Sequence, residues 1–153
     1  MGVITLTLEE TRLAILMTSQ AGLIPNLVGC PGSGKTSVVA WIADKMGAAS
    51  LIEFDAEKDT KWWHILPLGC MEPTDVVGLP NLKDGVTEFF PPGWLVESSL
   101  TPGILFIDEF DRSSPETQNA VMRALHTKEI GGIRLHPETI IVIAMNGDTD
   151  IYT

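Results

Sequence analysis

"GCPGSGKTS", Gly29–Ser37, is the stretch on which the fold is decided. It fits the pattern G-x-x-x-x-G-K-[ST], with Gly29, Gly34, Lys35 and Thr36 at the fixed positions. Glycines at that spacing let the backbone curl until successive N–H groups face one point. A helix starting directly afterwards adds the positive end of its dipole. Such a loop cradles phosphate. Gly29, Cys30, Pro31, Gly32, Ser33, Gly34, Lys35, Thr36 and Ser37 are then the binding loop. Lys35 reaches the β- and γ-phosphates and the Thr36 hydroxyl ligates Mg²⁺. The flanks agree with this reading. "IPNLVG" before the loop is a short strand with Pro25 near its start. After it, Val38, Val39, Trp41, Ile42 and Met46 recur at helical spacing from Lys35 to Met46, and Gly47 closes the segment.

Two further apolar runs read as strands, and strands alternating with helices imply right-handed βαβ crossovers and a parallel sheet. Ile104–Ile107 is apolar throughout, as strands buried on both faces are, and ends in Asp108-Glu109. "TIIVIAM", Thr139–Met145, is the second run and ends in Asn146. Ligands in open α/β sheets bind beyond the carboxyl ends of the strands. Asp108 is therefore expected beside Thr36 at the Mg²⁺ ion, and Glu109, one residue on, within reach of an attacking water. Asn146 can hydrogen-bond the γ-phosphate or that water, although a strand-terminal asparagine is also an ordinary turn former.

Helices alternate with these strands. Thr7–Ala21 reads as a helix with a Thr7/Glu10 capping box, an apolar face of Leu13, Leu16 and Met17, and Gly22 to end it. Ser114-Pro115 opens another as N-cap and first residue, with Val121, Met122 and Leu125 as its apolar positions. Between them, Ser50–Phe54 and His64–Leu68 both qualify as the second strand, separated by the polar stretch Asp55–Lys61. "NLKDGVTEFF" carries Asp84-Gly85 between two extended runs, a hairpin signature. Trp62-Trp63 and Phe89-Phe90 read as hairpin and core packing ahead of exposed partner patches. The expected fold is α/β, three-layered, with a mostly parallel sheet flanked by helices, in one domain spanning 1–153.

Composition narrows the partners. The chain has 153 residues and a net charge of −10, which disfavours nucleic acid and anionic membrane surfaces as large polyanionic partners. Cys30 and Cys70 stand apart without metal-ligand spacing, so a reducing, cytoplasmic setting is expected. No apolar stretch approaches the roughly 18 residues that span a bilayer. The N-terminus shows no signal-peptide pattern. Arg112 is expected to pair with Asp111 or Glu116, and Arg123 to lie on a solvated helix face.

The phosphate loop, an Asp-Glu strand end and a strand ending in Asn, in that order, resemble the AAA+ ATPases. "EPTDVVGLP" (Glu72–Pro80), "PPGWL" (Pro91–Leu95), "GILFIDEFDRSSPETQNAVMRAL" (Gly103–Leu125) and "HPETIIVIAMN" (His136–Asn146) resemble the MoxR-like branch of that family. The resemblance covers the chain from about Leu23 onward. It implies ATP and Mg²⁺ as ligands, Lys35 and Thr36 as loop lysine and threonine, and Asp108 as the magnesium aspartate. Glu109 would be the catalytic glutamate and Asn146 the sensor asparagine. It further implies a homo-oligomeric ring, hexameric in the family, that hydrolyses ATP to remodel a client protein. In the family a helix with an arginine finger, a further strand and a helical lid follow the sensor strand. Ending at Thr153, this chain reads as a core without them. A nucleotide-binding switch with little hydrolysis is the competing expectation.

Overall fold

The computed structural model describes residues 5–55 and 59–147. In chain order the elements are α1 (Leu8–Gln20), β1 (Asn26–Val28), α2 (Lys35–Lys45), β2 (Ala49–Ser50), β3 (Trp62–Pro67), α3 (Pro73–Val77), β4 (Leu79–Lys83) and β5 (Val86–Phe90). They continue with α4 (Gly93–Leu100), β6 (Gly103–Asp108), α5 (Pro115–Thr127), β7 (Glu129–Ile130), β8 (Ile133–Arg134) and β9 (Ile140–Met145). The main sheet has five strands in the order β1-β9-β6-β3-β2, and every pairing in it is parallel. Two antiparallel ribbons, β4-β5 and β7-β8, stand apart from it.

The all-apolar strands are explained by what covers each face. Ile104 and Phe106 of β6, with Val142 and Ala144 of β9, pack against Ile15 of α1 and Val38, Val39, Ile42 and Ala43 of α2. The alternate residues Leu105, Ile107, Ile141 and Ile143 pack on the opposite face, with Val76 of α3, Leu95 of α4 and Val121 and Ala124 of α5. Successive strand side chains point to opposite faces, so helices on both sides demand apolar residues at every position. The expected three-layer parallel α/β fold is present.

Local signals fixed the helix ends. Thr7 and Glu10 form the reciprocal capping box of α1, and Ser114 caps α5 ahead of Pro115. Asp84 and Gly85, with φ of 52° and 79°, make the tight turn joining β4 to β5, where both central residues need positive φ.

Other expectations are corrected. The second long strand is β3, starting at Trp62, two residues before the expected His64, while Ser50–Phe54 contributes only Ser50 to a two-residue edge strand. Within the expected Asp55–Lys61 insert, residues 56–58 lie outside the described residues. Helix α1 buries Ile15, whereas Leu13 and Met17 are exposed, because it lies on α2 and the sheet along a different stripe. Met122 of α5 is likewise exposed, and Ala124 takes its place inside. Trp41 lies at the surface beneath the Arg12 guanidinium, 4.2 Å from its ring centre. Phe89 and Phe90 are not in the core: the β4-β5 ribbon leaves the domain, and Leu79, Leu82 and Val86 are exposed with them. Among the described residues no helix is long and apolar enough to cross a membrane.

Trp62 is fully buried, and its indole N–H donates to the Thr101 carbonyl at 2.6 Å. Gly103 lies against that ring so closely that a Cβ there would approach Trp62 Cδ2 to 2.3 Å. Gly103→Ala is therefore expected to destabilise the fold by about 1–3 kcal/mol through overpacking. Urea unfolding would read this as a lower midpoint at constant slope. A midpoint equal to wild type would contradict the close seating of β3 on β6.

Candidate functional site

The strands deliver their carboxyl ends to one edge of the sheet. Val28 pairs with Met145, and the ladder runs one step further as the Gly29 N–H donates to the Met145 carbonyl at 3.2 Å. On the other side of β9 stands β6, with Ile107 opposite Ile143 and Asp108 next in line. The phosphate loop, Asp108 and Asn146 thus leave three adjacent strands at the same end.

A cleft of about 330 Å³ lies there, lined by Pro31, Gly32, Ser33, Gly34, Lys35, Thr36, Ser37, Asp108, Glu109 and Asn146. Its size lies at the lower end of small-molecule sites, about 300–1,000 Å³. Of the residues expected from the sequence, only Gly29 and Cys30 are absent from the lining, and both act from behind it. Their carbonyls accept hydrogen bonds from the Lys35 ammonium at 2.7 and 3.1 Å.

Helix α2 begins at Gly34, whose left-handed φ of 89° turns the chain into the helix with no side-chain cap. The first-turn N–H groups of an uncapped helix need acceptors from elsewhere, and here they stand at the cleft with the positive end of the dipole. The Lys35 ammonium adds a full positive charge. Besides the two loop carbonyls it donates to Asn146 Oδ1 at 3.2 Å. All three of its protons thus point at acceptors within the chain, which a phosphate would have to replace.

Thr36 and Asp108 meet across the cleft, with the threonine hydroxyl donating to Asp108 Oδ2 at 3.5 Å. Asp108 Oδ1 accepts from the Glu109 N–H at 2.9 Å, which fixes the carboxylate's plane. A hydroxyl and a carboxylate oxygen side by side are hard ligands suited to Mg²⁺, which takes one or two protein oxygens and fills the rest with water and phosphate. The described residues contain no cluster of three or more His, Cys, Asp or Glu able to hold a metal.

Glu109 sits in the left-handed region at φ 53°, ψ 38°, a conformation that costs a non-glycine residue roughly 1 kcal/mol or more. The turn sends the chain into a single 3₁₀ turn, Phe110–Arg112. Arg112 then reaches back, and its Nη1 donates to Glu109 Oε1 at 3.0 Å. Arg112 pairs with neither Asp111 nor Glu116 as expected: the wrapped 3₁₀ turn makes the residue three positions earlier its neighbour. Glu109 Oε2 lies over Gly69, where a Cβ would come within 2.7 Å of it. Gly69 gave no signal in the sequence, since nothing local links it to a residue forty positions away. Arg123, 70% exposed, pairs with Glu129 at 3.5 Å on its solvated face.

Comparisons with known proteins match this geometry at the level of family and fold. The family model described as AAA domain (dynein-related subfamily) matches residues 26–147. No curated protein matches the chain. Among 81 matching chains of solved structures is NtrX from Brucella abortus, with a TM-score of 0.55 at 20% identity. That match covers 99% of this chain but 33% of NtrX, so the chain spans about a third of that protein's length. At such identity the likeness concerns the fold.

Proposed function

This chain belongs to the AAA domain family, in its dynein-related subfamily, and we propose that it binds ATP and hydrolyses it with Mg²⁺. The observation that carries the reading is the convergence of Lys35, Thr36, Asp108, Glu109 and Asn146 on one cleft from three adjacent strand ends. In this reading the loop N–H groups and Lys35 take the phosphates, and Thr36 and Asp108 hold Mg²⁺. When bound, the ion neutralises charge on the phosphate oxygens. Glu109 orients and deprotonates the attacking water, and Asn146 senses the γ-phosphate beside Lys35.

Glu109 must first turn its carboxylate from Arg112 toward the cleft. The pair is half-exposed, with Arg112 at 54%. Such pairs hold by only about 0.2–1 kcal/mol, so the rotation is a small part of the barrier.

The finer assignment follows from the sequence resemblance. We assign the domain to the MoxR-like branch, working as a homo-oligomeric, hexameric ring in the cytoplasm that remodels a client protein. The test is phosphate release from ATP with Mg²⁺ and with EDTA. Chelation is expected to lower the rate at least about a hundredfold, and Asp108→Ala to reproduce the loss in the presence of Mg²⁺. Turnover that persists in EDTA would contradict the reading. Binding of Mg·ATP without release would instead support the competing switch.

A further inference from the structure

We infer that Asp111 is a positioning residue whose carboxylate fixes Asn146 against Lys35. Asn146 is the first residue beyond β9, where among the described residues the sheet offers its backbone no further partner strand. Its N–H donates to Asp111 Oδ1 at 3.1 Å, across 35 residues of sequence. The carboxylate thereby stands in for the ladder acceptor at the point where the ladder ends. With the backbone held, the asparagine side chain presents Oδ1 to the Lys35 ammonium. Without that hold, a strand-terminal asparagine is free to close its own turn.

Asp111 can do this because its turn is immobilised from below. Phe110 is buried in the core under the 3₁₀ turn. Gln118 of α5 donates to the carbonyls of Phe110 and Ser113 at 3.0 and 3.1 Å. The Ser113 hydroxyl also donates to the Phe110 carbonyl, at 2.8 Å. The next residue of the turn, Arg112, holds Glu109. One anchored turn therefore grips both residues on which the proposed water chemistry depends, Asn146 by its backbone and Glu109 by its carboxylate. A shift of that turn moves the two together.

The catalytic consequence rests on the ATPase reading, whereas the contact does not, so the test has two readouts. In the nucleotide-free protein, the Asn146 amide proton resonance is expected to move upfield in Asp111→Ala, with amide exchange about tenfold faster. Asp111→Asn, which keeps a side-chain oxygen acceptor, should restore most of both. With Mg·ATP, Asp111→Ala should lower kcat about five- to tenfold, the net worth of one ordinary hydrogen bond, with KM unchanged and rescue by Asp111→Asn. An unmoved Asn146 amide overturns the inference. So does a moved amide with wild-type kcat, or a loss of nucleotide affinity as large as the loss of kcat. Should the wild-type protein release no phosphate, the ATPase reading falls and the amide response alone decides the role of Asp111.

Discussion

Glu109→Gln is expected to remove turnover by about 10²–10⁴-fold, the range of a positioned general base, while nucleotide affinity stays within about threefold. The substitution keeps the size of the side chain and an oxygen that can still accept from Arg112, so the loop geometry survives. What it removes is the capacity to accept the water's proton. Phosphate contacts belong to the loop, Lys35 and the first turn of α2, whereas the Glu109 carboxylate is hydrogen-bonded to Arg112. Chemistry and binding should therefore separate cleanly. Titration calorimetry beside a phosphate-release assay would show this. A Glu109→Gln protein that turns over at the wild-type rate would remove Glu109 from the role of base.

Lys35→Ala should do the opposite and remove binding. Among the described residues the ammonium is the one full positive charge lining the cleft. Each charge-assisted hydrogen bond it makes to phosphate is worth about 1.5–3 kcal/mol, so affinity should fall roughly 10- to 100-fold or more. In the free protein Lys35 also bridges Gly29, Cys30 and Asn146, and its loss loosens the loop against the sensor strand. Those bonds are only part-buried, so the midpoint of thermal unfolding should shift by only a few degrees. An unchanged Kd with a lowered midpoint would make Lys35 a structural residue.

The features that were legible in sequence are those fixed by neighbours in the chain. A glycine-rich loop followed by helical periodicity, an all-apolar run ending in acids, a Ser-Pro helix start and an Asp-Gly hairpin each carry their cause within a few residues. Strands alternating with helices imply the parallel sheet, and the strand ending in Asn146 does lie beside the Asp108 strand, whereas the place of β1 at the sheet's edge carries no mark in the sequence. The errors arose where tertiary cover decides. An all-apolar strand does not say which of its residues face which helix layer. Leu13 and Met17 have helical spacing but lie off the buried stripe, and Phe89 and Phe90 lie on a ribbon that the domain leaves uncovered. Of the two candidates for the second strand, His64–Leu68 begins two residues inside β3, because Trp62 carries no local mark of being its first buried residue. Asp111 enters the sequence reading only as a partner for Arg112. Its partner is 35 residues away, and a single sequence shows no such distance.

The most direct measurement is phosphate release from Mg·ATP by the wild-type chain across a range of protein concentrations, each point paired with EDTA. The expected result is release that requires Mg²⁺ and whose rate per chain rises with concentration as copies assemble. Saturable binding of Mg·ATP with no release at any concentration would contradict it, and would make the cleft a switch in place of a hydrolase.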